Sequence, residues 1–86
     1  MLAGAAIIMW NQSKNTIVER NRFLECDIGI QFGNPGGAEN DHEFGIIRNN
    51  FFYRAPESTG DTGISLNRAR NSKVYNNTII LNNTFP

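Results

Sequence analysis

A chain of 86 residues makes one small domain that buries roughly 60% of its unfolded surface, which leaves stability marginal without further help. Eight basic and eight acidic side chains cancel to zero formal net charge, which excludes the dense positive field on which bulk nucleic-acid binding rests. One cysteine and one histidine exclude a disulfide framework and a zinc site with ligands at the usual spacing.

In chain order, the apolar start Met1–Trp10 lacks a positive n-region and is too short to span a bilayer, so neither a signal peptide nor a membrane span is read there. Inside it, Ile8 and Trp10 form an apolar pair two residues apart, predicted to be a short strand. Val18-x-x-Asn21-x-Phe23 comes next, followed by Cys26 at a bend that points inward. Ile30/Phe32 repeats the first pair and Ile47-x-x-Asn50-x-Phe52 the second motif. Ile64/Leu66 and Val74-x-x-Asn77-x-Ile79 then complete a third copy.

The spacing explains the repeat. Asn21 to Asn50 is 29 and Asn50 to Asn77 is 27, while Ile8 to Ile30 is 22 and Ile30 to Ile64 is 34. Seven extra residues between Gly33 and Ile46, and five between Ala55 and Ile64, account for every difference from 22. The insertions are 34–43 and 56–61. A period of 22 with i, i+2 apolar pieces is too short for paired helices and lacks their stripe. It predicts an all-β solenoid of about three turns, each with three short strands. Successive turns would lie about 4.8 Å apart, with bends at asparagines that tolerate left-handed backbone. Neither end reads as a capping repeat, so residues 1–86 read as one segment of a longer protein, or as a unit stacking on further coils or other copies.

Val18-Glu-Arg-Asn21-Arg-Phe23-Leu-Glu-Cys26-Asp-Ile-Gly29-Ile30-Gln-Phe32, Asp61-Thr-Gly63-Ile64-Ser-Leu66 and Asn71-Ser-Lys-Val74-Tyr-Asn-Asn77-Thr-Ile79 resemble the right-handed parallel β-helix repeat proteins of the pectate-lyase-like superfamily. The resemblance covers nearly the whole chain and implies a right-handed single-stranded parallel β-helix in an extracellular or periplasmic protein. It is specific for fold and poor for activity, because that fold hosts polysaccharide lyases, glycoside hydrolases, epimerases and phage tail proteins.

Stacked turns give many polar residues a structural task. Asn21, Asn50 and Asn77 are expected to form an amide ladder, and Asn15 and Asn71 to be equivalent, since buried amides need such partners. Glu19 falls over Arg48 and Glu25 over Arg54, setting register. Arg68, Arg70 and Lys73 read as a solvated connection. The sequons at Asn11, Asn76 and Asn82 follow from the Asn-rich repeat.

The insertions hold what the repeat does not explain. The first contains Glu39, Asp41, His42 and Glu43, the second Glu57 and Asp61. Both border the strand-one face, whose outward residues are expected to be Met9, Gln31 and Ser65. In the lyases and hydrolases this sequence resembles, that face is the sugar groove, with Gln31 and Ser65 as binding candidates. Glycoside hydrolysis needs two carboxylates about 5 to 9.5 Å apart, which Glu39, Asp41, Glu43, Glu57 and Asp61 could supply. Elimination from a uronate needs a cation and a base. Calcium held by Asp41, Glu43 and Asp61, with His42 or Arg68 as base, meets that requirement. The loop reads equally as a solvated Gly-rich bulge. Two classes stay open: a polysaccharide-binding or polysaccharide-degrading protein, and a non-catalytic structural segment of a surface or tail protein.

Overall fold

Alternation of inward apolar and outward polar residues, interrupted every few positions by left-handed backbone, breaks the described residues into twelve short strands. The computed structural model describes residues 5–26, 28–34, 36–37, 39–56 and 62–82. In chain order these are β1 (Ala5–Met9), β2 (Ser13–Lys14), β3 (Ile17–Glu19), β4 (Arg22–Leu24), β5 (Ile28–Phe32) and β6 (His42–Glu43). β7 (Ile46–Arg48), β8 (Phe51–Arg54), β9 (Thr62–Leu66), β10 (Ala69–Arg70), β11 (Lys73–Tyr75) and β12 (Thr78–Leu81) follow. No helix occurs among the described residues.

The strands form four parallel three-stranded sheets: β1-β5-β9, β2-β6-β10, β3-β7-β11 and β4-β8-β12. The chain thus visits four sheets in the same order three times. Each pass has four strands rather than the expected three, because the two-residue strands β2, β6 and β10 carry no apolar i, i+2 signal. His42 and Glu43, expected inside the first insertion, belong to β6 and pair with Ser13 and Lys14 on one side and Ala69 and Arg70 on the other. The insertion therefore ends at Asp41.

Register is as expected in three of the motifs and slipped in one. Val18, Ile47 and Val74 are aligned, as are Phe23, Phe52 and Ile79. In the first sheet, however, Ile30 pairs with Ile7 rather than Ile8, and Phe32 with Met9 rather than Trp10. The first pass therefore has one more residue than the 22-residue period predicts. That residue lies in the corner 10–12, where Asn11 and Gln12 are both left-handed, whereas the third pass turns through 67–68 with Arg68 alone left-handed. A slip of one position exchanges the two faces of a strand. Met9 thus turns inward against the core, while Ile8 and Trp10 turn out.

Left-handed residues stack at the other corners: Asn15, Phe44 and Asn71 after the second strands, and Arg20, Asn49 and Asn76 after the third. The ladder asparagines stand one residue beyond that second bend rather than at it. Between the sheets lies a core of Val18, Phe23, Ile30, Phe32, Ile47 and Phe52, with Ile7, Met9, Cys26, Ile64 and Ala69 packed on it. Phe23 and Phe52 stack with ring centroids 4.7 Å apart and nearly parallel planes. The middle pass is the driest, with Ile30, Phe32 and Ile47 fully buried, while Val74 and Ile79 of the third pass remain 43% exposed.

Hydrogen bonds tie pass to pass. Asn50 Nδ2 donates to Val18 O and to Asn77 Oδ1, both at 3.0 Å, and Asn50 Oδ1 accepts from Asn21 N and Nδ2 at 3.1 and 3.2 Å. Asn77 Nδ2 donates to Ile47 O. Arg48 bridges Glu19 at 2.7 Å and donates to the Tyr75 hydroxyl. The bond from Arg48 holds the Glu19 carboxyl below its ordinary range, and the bonds to Tyr75 and to Glu19 hold the Arg48 guanidinium above its own. Glu25 Oε1 accepts from Ala55 N, and Arg54 donates to the carbonyl of Cys26, one pass earlier, and to that of Thr62, just past the second insertion.

Candidate functional site

The outer face of β1, β5 and β9 is built by pleat and register. Ile8, Gln31 and Ser65 are aligned on it, and Ile8 is exposed with Trp10 beyond it at the strand end, half its surface open to solvent. Sequence reasoning placed Trp10 among the inward markers and missed it as a surface residue. The signal lay in the continuous apolar run Ala5–Trp10, which is compatible with either register.

Two amides at this face make local hydrogen bonds. Gln31 Nε2 donates to Gly33 O at 3.0 Å, and Asn67 Nδ2 donates to Ser65 Oγ at 2.9 Å. Gly33, at φ 81°, lets the chain leave the sheet directly over Asn67, whose carbonyl oxygen a Cβ there would strike. The result is a strip of one indole, one exposed aliphatic side chain, amides and a hydroxyl. No strand of this sheet carries an ionisable side chain.

The candidates of the first insertion occupy different environments. Asp41 is buried: its Oδ1 accepts from Asn11 N at 3.1 Å, its carbonyl from Gln12 N at 2.8 Å, and its own N–H donates to Arg68 O at 3.0 Å. It clasps the first-pass and third-pass corners together. The carboxylate lies so close to Gly37 that no Cβ fits there.

His42 is fully buried rather than solvated in a loop. Its ring stacks on Phe32 with centroids 4.2 Å apart, and Nε2 lies 3.0 Å from Thr16 Oγ1. Burial pushes the imidazole below its ordinary value, and the Asp41 charge partly opposes this. A ring sealed in the core cannot reach a polymer on the outer face. Glu43 is half-buried in register between Lys14 and Arg70, an alternation of charge that favours this pairing. Arg68 is exposed at a left-handed corner and lines a shallow hollow with Glu39, Asn40, Ala69 and Arg70.

Glu57 and Asp61 lie outside the described residues. Among the described residues, no three of His, Cys, Asp and Glu stand together as a metal site; of the expected calcium ligands, Asp41 is buried at a corner and Glu43 half-buried in β6. Cys26 is half-buried against the core, with Sγ 3.7 Å from Leu24 O. No helix of the described residues is long and apolar enough to cross a membrane. No protein-family model, curated protein or solved structure matches this chain.

Proposed function

We propose that the chain is a segment of a right-handed parallel β-helix, of the kind found in pectate-lyase-like proteins, whose outer first-sheet face binds polysaccharide without cleaving it. The four-sheet order, the parallel registers and the column of Asn21, Asn50 and Asn77 support the winding. The observation that carries the binding reading is the exposed Trp10 beside the aligned Gln31 and Ser65. An indole stacks on the apolar face of a sugar ring while amides and hydroxyls bond its edges, and such a mixed surface suits an amphipathic ligand.

Non-catalytic binding is favoured over cleavage because the two residues best suited to proton transfer, Asp41 and His42, are buried and engaged in holding corners and core. The resemblance to pectate-lyase-like proteins favours an extracellular or periplasmic location for such a binder. A purely structural role is the second reading, favoured by the internal bonds that Gln31 and Asn67 already make.

Trp10 is the single tryptophan, so its emission reports the face directly. Titration with a panel of neutral and uronate polysaccharides, with and without calcium, should shift Trp10 emission for at least one polymer. Trp10→Ala should weaken that binding about tenfold, measured by gel retardation. No sugar release should accompany it. If no polymer shifts the emission, the binding reading fails and the structural one stands. Release of unsaturated or reducing products would restore the catalytic reading.

A further inference from the structure

Phe44 stands at a corner where the other two passes carry asparagine. Asn15, Phe44 and Asn71 are all left-handed, at φ 62°, 56° and 55°. The first two corners are closed by the same kind of bond, from Asn15 N–H to Glu43 O and from Phe44 N–H to Arg70 O, both at 2.9 Å. Asparagine adopts this backbone readily, whereas a bulky side chain is strained in it. The Phe44 ring gains no core packing in return, since it is 50% exposed and belongs neither to the buried cluster nor to a stacked ring pair. Phe44 lies in the middle pass, with a pass on each side, so its exposure does not arise from where the described residues stop. Strain kept without a packing gain is characteristic of ligand clamps.

The ring is one wall of a hollow of about 140 Å³ lined by Phe44, Gly45, Ile46, Asn71 and Lys73. Two passes assemble it. Ile46 and Lys73 are aligned in β7 and β11, and Ile17, itself exposed, continues that row beyond Ile46. Gly45 supplies bare backbone, and its carbonyl accepts from Lys73 N–H at 2.9 Å, which fixes the start of β11 beside the corner. Among the described residues, no hydrogen bond or ion pair engages the Lys73 ammonium or the Asn71 amide. The hollow thus combines an aromatic ring and an aliphatic side chain with one positive charge and one amide whose donors are open.

We propose that this hollow binds a small aromatic carboxylate of benzoate or cinnamate size, its ring against Phe44 and Ile46 and its carboxylate on Lys73 and Asn71. The volume admits one six-membered ring with a short substituent. Aromatic rings pair favourably edge to face or offset, and an ammonium bonds a carboxylate more strongly than a neutral group. A sugar acid fits less well, because Lys73 and Asn71 are the only polar side chains in the lining and the carboxylate engages both. The site is separate from the first-sheet face and does not depend on what that face binds.

Titration of the isotope-labelled chain with benzoate and with cinnamate, followed by amide correlation spectra, tests this. The amide signals of Phe44, Gly45, Ile46, Asn71 and Lys73 should shift together and saturate with a Kd of about 1 mM or below, while those of β1, β5 and β9 stay in place. Benzyl alcohol and glucuronate should bind about tenfold more weakly than benzoate. Phe44→Asn gives this corner the residue of the other two and relieves its strain, so the protein should be at least as stable yet bind benzoate about tenfold more weakly. Lys73→Gln should lower benzoate binding to the level of benzyl alcohol and leave benzyl alcohol binding unchanged. Loss of affinity in a protein that melts no lower separates a binding role from a structural one. No saturable shift with either acid, shifts centred elsewhere in the chain, acidic and neutral probes binding alike, or full affinity in Phe44→Asn would each overturn the inference.

Discussion

The asparagine column should be energetically graded, with the middle residue worth most. Asn50 is 2% exposed, and its side chain makes four hydrogen bonds, to Val18 O, Asn77 Oδ1, Asn21 N and Asn21 Nδ2. Truncation by Asn50→Ala strands the Val18 carbonyl and removes the acceptor from Asn21 N–H. A net hydrogen bond is worth about 1 kcal/mol, and a buried group left unsatisfied costs about 1–3 kcal/mol. The loss is therefore about 3 kcal/mol. Asn21 is exposed, and water replaces its Nδ2 bonds to Glu19 O and Asn50 Oδ1, so Asn21→Ala should cost only about 1 kcal/mol. Asn77→Ala should fall between. Urea denaturation reads this as a shift in midpoint at constant slope. In a thermal melt, about 3 kcal/mol corresponds to roughly 12–24 °C for a domain of this size. Equal costs for Asn50→Ala and Asn21→Ala, within about 0.5 kcal/mol, would refute the assignment of a buried, self-satisfying column.

Phe44 holds φ 56° at the corner where Asn15 and Asn71 stand in the other passes, and half its ring is exposed. Since left-handed backbone costs a bulky residue about 1–2 kcal/mol, Phe44→Asn should raise the urea midpoint, and Phe44→Ala should not. Burial lowers the His42 pKa from 6.5, so the unfolded chain takes up a proton more readily than the folded one. Stability should be full above about pH 6.5 and fall as pH drops through and below it. Urea midpoints from pH 8 to pH 5 measure the slope, which His42→Phe should flatten. Gly45 has no room for a Cβ, which would strike the rings of Phe32 and His42. Gly45→Ala should therefore cost about 1–3 kcal/mol, read as a lower thermal midpoint.

What made three registers legible in the sequence was an asparagine at a fixed place between two apolar residues. Asn21, Asn50 and Asn77 bond backbone as well as one another, so they anchor the flanking strands β3 and β4 and their equivalents. Nothing comparable anchors β1. Ala5–Trp10 is apolar at nearly every position, and hydrophobicity alone cannot choose between two registers that differ by one residue. The choice is made at the corner, where Asn11 and Gln12 take up one more residue than Asn67 and Arg68 do. That information lies in backbone dihedrals and in the Asp41 clasp thirty residues away. The two-residue strands β2, β6 and β10 were invisible for a similar reason: they are too short to show alternation.

The same corner decides how the candidate site must be understood. A histidine flanked by acids in a Gly-rich insertion has the composition of an active-site loop, and composition says nothing about depth. His42 lies deep because it is aligned with Ser13 and Ala69, two small residues that leave volume for a ring against Phe32. Asp41, one residue earlier, then falls where it can accept Asn11 N–H while its backbone bonds Arg68 O. Insertion length and buried acid are thus linked, because the longer loop brings a carboxylate to a corner that carries an extra residue in the neighbouring pass. Shortening 33–41 to the length of 67–68 would remove the clasp from the left-handed pair Asn11 and Gln12, and with it the bonds that hold Trp10 at the edge of the outer face.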